Sequence, residues 1–169
     1  MSDLFNASSA IISECGLYRY RLERGDRHGT KSVAFIMINP STADAAQDDA
    51  TIRKCRGFAQ QHGFGHLIVG NLFAYRATDV KELRNAFDAV GPDNDDHLWQ
   101  ILRDADTVIV AWGPASKVPQ SLRSRWDRVP AMAQLVGKPL HCLGVAKNGH
   151  PRHPLMTPYS MPLTPWKAP

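Results

Sequence analysis

Cysteine is scarce. Cys15, Cys55 and Cys142 are the three present, too far apart for a C-x-x-C pair or any zinc-type ligand spacing. They read as reduced thiols of a cytoplasmic protein rather than as a disulfide or metal framework. Long apolar runs are also missing. No window approaches the ~20 residues of a membrane span, and the opening MSDLFNASSAIISECG lacks the basic start and apolar core of a signal peptide. No P-loop and no G-x-G-x-x-G fingerprint occurs, and Ser41 has no G-x-S-x-G setting, so phosphate-loop, dinucleotide and hydrolase-elbow chemistries drop out. His150 and His153 stand three apart without a third ligand, so neither a metal nor a cofactor is expected. Lysine and arginine outnumber acids by 20 to 16, for a net charge of +4. No basic run concentrates that excess, which is a mild bias toward anionic partners and no more.

What is present is regular. The 169 residues suit one domain with a full core, expected over about 17–158, with residues 159–169 as an extended, proline-rich tail. Residues 17–24 (LYRYRLER) alternate apolar side chains with arginines, and GDRHGT supplies turn residues before SVAFIMI (32–38), so the start reads as a hairpin. Three more apolar runs follow at 67–73, 107–113 and 140–145. Between them lie amphipathic helices: one capped by Asp48 or Asp49 and closed near Gly63, one opening near Asp93 or Asn94, and one between Arg123 and Val136. Asp79 and Glu82 have the spacing of a capping box.

Continuous apolar strands alternating with amphipathic helices predict an α/β fold, a three-layer α/β/α sandwich with a mainly parallel four-stranded core sheet. The 17–24 segment is expected at its edge, antiparallel. Right-handed crossovers gather the loops after successive strands at one sheet edge, where such folds bind ligands. That convergence selects the polar residues at the strand ends: Asn39-Pro40-Ser41-Thr42, Asn71 with Tyr75-Arg76, Trp112-Gly113, and the stretch from Gly149 to Pro154. Asn39 can hold a water, although as an amide it is no base, and it equally suits a turn cap before proline. Asn71 can pair with a nucleobase edge or bond to neighbouring backbone. His153 can donate to a developing anion or stand as a loop histidine. Arg76 and Arg152 suit phosphate. Asp44, Asp48 and Asp49, preceding a helix, read as capping and solvent-facing residues.

Taken in order, INPSTADAAQDDATIRKCRGFA, GNLFAYRAT, VGPDNDDHL, VIVAWG and GHPRHPL resemble a bacterial and phage family known as the domain of unknown function 1643, from about Leu17 to Pro158. More distantly, INPS, GN at 70–71, AWG at 111–113 and RHPL are similar to the motifs of the uracil-DNA glycosylase superfamily, with Leu155 where those enzymes carry serine. That resemblance implies strand order 2-1-3-4 and an enzyme hydrolysing an N-glycosidic bond of a nucleobase in DNA, a nucleoside or a nucleotide. Asn39 would orient the water, Asn71 would read the base and His153 would stabilise the departing anion. Pro40, Ser41, Thr42, Arg76 and Arg152 would surround the substrate, and Phe73 or Tyr75 would receive the base. The alternative is a non-catalytic module that binds a nucleotide or nucleic acid in the same pocket.

Overall fold

The computed structural model describes residues 7–169. Its centre is one seven-stranded sheet, formed by β1 (Ser8–Ile12), β2 (Arg19–Gly25), β3 (Ser32–Met37), β4 (His66–Asn71), β5 (Thr107–Val110), β6 (Leu140–Cys142) and β7 (Thr164–Pro165). The strand order is β1-β2-β4-β3-β5-β6-β7. The four inner strands β4, β3, β5 and β6 run parallel, while β1, β2 and β7 are antiparallel to their neighbours. The mixed α/β character and the mostly parallel centre are as the apolar runs predict. Among the described residues no helix is long and apolar enough to cross a membrane.

Strand alternation divides the core between two faces. Val33, Phe35 and Met37 turn to one side and pack with Ile52, Cys55 and Phe58 of helix α1 (Ala50–Gln61). Ala34, Ile36 and Ile38 turn to the other. There they meet Leu98, Ile101 and Leu102 of α2 (Asn94–Asp104) and Val129, Met132 and Ala133 of α3 (Arg128–Leu135). Asp49 caps α1, accepting from the Ile52 N–H at 2.9 Å. At Gly70 a side chain would strike Ile101 Cδ1 at 2.7 Å, so the glycine lets α2 lie close to β4 one residue before Asn71.

The expected hairpin of 17–24 with 32–38 does not form. β2 pairs with β4, with Leu22 opposite Val69, and both edges of β3 are taken by the parallel strands β4 and β5. The 26–31 segment straddles the start of β4: Asp26 N–H donates to Gly65 O, and Gly65 N–H donates to Lys31 O. A turn-rich segment of that length steps over a strand as readily as it closes a hairpin. β2 is not the edge strand either, because β1 covers it. Its arginines, which look half-exposed in sequence, are buried, and two of them are paired with carboxylates. Arg21 meets Glu23 at 2.6 Å and Asp104 at 2.7 Å, and Arg24 meets Asp48 at 2.8 Å.

Three further differences are local. The Asp79–Glu82 stretch opens a 3-10 turn, Val80–Asn85, whose Asp79 carboxylate accepts from Lys81 N–H, so no capping box closes. The third helix begins at Arg128 and follows a 3-10 segment, Gln120–Asp127. The tail is not merely extended, since Thr164 and Pro165 add to β6 and Trp166 N–H donates to Leu140 O at 2.8 Å.

Candidate functional site

The carboxyl ends of β3, β4 and β5 and the 149–156 segment open onto one cavity of about 780 Å³, within the range of small-molecule sites. Asn39, Pro40, Ser41, Asn71, Arg152 and His153 all line it, as do Trp112, Arg19, Asp49 and Lys117. The remaining sequence candidates lie elsewhere. Thr42 and Arg76 border a separate shallow hollow that Ser41 also reaches. Phe73 is buried in the core on the α2 side, and Tyr75 packs edge-on against Tyr18. The backbone explains this: Leu72 and Phe73 keep donating to Met37 O and Ile38 O beyond the end of β4. The chain therefore leaves the sheet later than its sequence suggests, and Phe73 points into the core.

Asn71 carries the most telling chemistry. It is 1% exposed, and neither Oδ1 nor Nδ2 has a hydrogen-bond partner in the protein. Its backbone, by contrast, is firmly held. Asn94 Nδ2 donates to Asn71 O at 3.0 Å and to Leu72 O at 3.1 Å, and Arg125 Nε donates to Leu72 O at 2.8 Å. Buried amides in folded proteins nearly always find partners. Here a pre-positioned donor–acceptor pair is left for whatever enters the cavity.

Asn39 is different. Its Nδ2 donates to Ala77 O at 2.8 Å and to Pro40 O at 3.1 Å. Those two carbonyls fix the amide orientation, so Oδ1 remains as an acceptor without a partner among the described residues. Asn39 clamps the turn through its donors, as the cap reading expects, and its Oδ1 is left as an acceptor.

His153 reaches this cavity because Gly113 yields. Gly113 has φ +79°, and a side chain there would press on His153 Cβ at 3.0 Å. Its N–H donates to Pro151 O at 3.0 Å, tying the end of β5 to the histidine segment. His153 Nδ1 accepts from Leu155 N–H at 3.2 Å, which leaves the proton of the neutral ring on Nε2 as a donor. Burial, helped by the nearby Lys117 charge, pushes the His153 pKa down to about 4, against a small opposing pull from Asp49. The imidazole is therefore neutral at pH 7.

Arg19 and Asp49 were not picked out as site residues by sequence reasoning. Arg19 looked like one more arginine of an alternating strand, and Asp49 like a helix cap, which it also is. The only sequence signal for Arg19 is its place three residues beyond the turn at Cys15-Gly16. Trp112 is the aromatic on the cavity wall, where Phe73 and Tyr75 were expected. Among the described residues no group of three His, Cys, Asp or Glu side chains is placed to hold a metal ion.

A family model described as "Protein of unknown function (DUF1643)" matches residues 19–155. Comparison with curated proteins and with solved structures finds no match, so the glycosylase resemblance draws no support from either.

Proposed function

The chain belongs to the DUF1643 family of proteins of unknown function, a membership that assigns no chemistry, and we propose from the cavity itself that the protein hydrolyses the N-glycosidic bond of a nucleobase-bearing substrate. The observation that carries this is Asn71. A fully buried carboxamide with an unmet donor beside an unmet acceptor complements the paired acceptor and donor on the edge of a nucleobase. The strand order β4-β3-β5-β6 brings the carboxyl ends of β3, β4 and β5 to one cavity, which supports the same reading.

The chemistry follows from the donors present. Water, accepted at Asn39 Oδ1, adds its oxygen to the anomeric carbon. The carbon–nitrogen bond breaks and its electron pair leaves with the base. His153 Nε2–H donates a hydrogen bond to the base oxygen that gathers the charge, and the water's proton ends on the base, so substrate plus water gives sugar hydroxyl plus free base. A neutral imidazole suits this task because it donates without surrendering its proton. Pro40 restricts Asn39 to extended geometry, which keeps the amide aimed.

A second reading, a module that binds a nucleotide or nucleic acid without turnover, has one observation in its favour: both Asn39 donors are spent on carbonyls, as in a purely structural cap. Incubating the protein with nucleosides, nucleotides and modified-base oligonucleotides, and separating free base by chromatography, tests the proposal. Released base supports hydrolysis. Saturable binding with intact substrate at high enzyme concentration replaces hydrolysis with the binding module.

A further inference from the structure

Arg19 is the odd member of a strand of arginines. Arg21 and Arg24 on β2 are satisfied by Glu23, Asp104 and Asp48. Arg19, only 2% exposed, has no carboxylate within salt-bridge reach among the described residues. One Nη1–H donates to Ala43 O at 2.9 Å, while its Nε–H is buried and has no protein partner. Burial pulls its pKa to about 10, with Asp49 supplying the main opposing field, so the guanidinium is charged at neutral pH. A buried cation without a counter-charge is costly to hold. Structures keep such groups where a ligand completes them.

The surroundings agree on the sign of that ligand. Lys117 and Arg152 line the same cavity and both are exposed; Arg152 Nε donates to Val145 O at 3.4 Å. Against these three cations the cavity carries two carboxylates, Asp49 and Asp79, each with one oxygen accepting a backbone N–H, so the balance stays positive. We propose that Arg19, assisted by Lys117 and Arg152, is an anion subsite, and that the ligand is a mononucleotide whose phosphate meets Arg19, rather than a free base or neutral nucleoside. An arginine presents planar N–H groups that match phosphate oxygens. The burial of Arg19 favours a terminal phosphate, which can reach into the cavity, over the diester of a strand, which must pass through it. The identity of the ligand as a nucleotide rests on base reading by Asn71; the anion subsite rests on Arg19 alone.

The test is calorimetric titration, with melting curves at constant ionic strength, of inorganic phosphate, the common nucleosides, their 5′-monophosphates and a short single strand. Wild type, Arg19→Met and Arg19→Lys are compared. A monophosphate is expected to bind wild type about tenfold or more tightly than its nucleoside, as charge-assisted hydrogen bonds require. Arg19→Met should erase that preference while the unliganded protein melts no lower than wild type. Arg19→Lys, which keeps the charge and loses the planar fork, should retain part of it and serves if the Met variant does not fold. Equal binding of nucleoside and monophosphate, or an undiminished preference in both variants, overturns the anion subsite. A strand that outcompetes the monophosphate overturns the assignment to a mononucleotide. If inorganic phosphate raises the melting temperature through Arg19 while no nucleoside or nucleotide discriminates among bases, the anion subsite stands and base reading by Asn71 fails. Base-selective binding without any phosphate effect gives the opposite result.

Discussion

Replacing Asn71 with leucine exposes the conflict between stability and recognition. Leucine has the same branched heavy-atom outline as asparagine but no polar atoms. In the unliganded protein Asn71 buries a donor and an acceptor that no protein group satisfies. Each buried unsatisfied group costs about 1–3 kcal/mol, and access from the cavity recovers part of that. A net gain of about 2 kcal/mol is therefore expected for Asn71→Leu. At ~2–4 °C per kcal/mol for a chain of this size, the melting temperature should rise by about 4–8 °C. Scanning calorimetry checks the rise, and urea denaturation should move the midpoint to higher concentration at unchanged slope. Base-dependent binding should disappear in the same variant. A melting temperature several degrees below wild type would refute the reasoning, because it would mean that the carboxamide already has partners and is structural.

Other substitutions separate the remaining roles. His153→Ala should lower turnover about a hundredfold with little change in binding, the usual worth of one preorganised donor to a developing anion; single-turnover kinetics reads it. Asn39→Asp should not act as an improved base. It places carboxylate oxygen against Ala77 O and Pro40 O, and is expected to destabilise by roughly 1–3 kcal/mol in urea titrations. The His153 pKa is about 4 in the folded state, below its ordinary value of 6.5. The unfolded chain therefore binds the extra proton first, so the contribution is complete above pH 6.5 and fades as pH falls toward 4. His153→Gln should flatten the melting temperature in that window, although His97, also lowered by burial, will keep part of the slope. Glu23, held at about 2 by His66, Arg27 and Arg21 against its own burial, acts lower: its contribution is lost as pH falls from 4.5 toward 2. Glu23→Gln should cost roughly 3 kcal/mol at neutral pH by removing the buried carboxylate that Arg21, Arg27 and His66 share, which equilibrium unfolding measures.

Much of this was legible from periodicity. Strands apolar on both faces, such as 33–37 and 67–69, predict a covered parallel sheet because no solvent-facing alternation remains. The Asp49 cap and the apolar spacing of Ile52, Cys55 and Phe58 delimit α1 almost to the residue. Asn39, Asn71 and His153 line one cavity because strand ends converge by topology, whatever lies between them. The failures have a shared cause, which is that local pattern does not encode partners. Arg21 and Arg24 alternate like exposed residues yet are buried by ion pairs with groups up to 83 positions away. The turn at 26–31 does not announce which strand it will cross. β7 contains a proline and spans two residues, so nothing in its composition marks it as a strand. Arg19 reads in sequence like its neighbours, yet it lines the cavity without a salt-bridge partner among the described residues.

The edge of the sheet nearest the histidine segment has a bearing on synthesis. Trp166 stands edge-on to Trp112 on the cavity wall, with ring centres 5.3 Å apart, and donates through Nε1 to Gly149 O at 3.0 Å. The strands that carry Asn39 and Asn71 emerge from the ribosome early and can begin to pair, but the segment bearing His153 gains its backing only when residues 164–166 arrive. Until then Trp112 and Gly149, which Trp166 backs in the finished fold, lack that support.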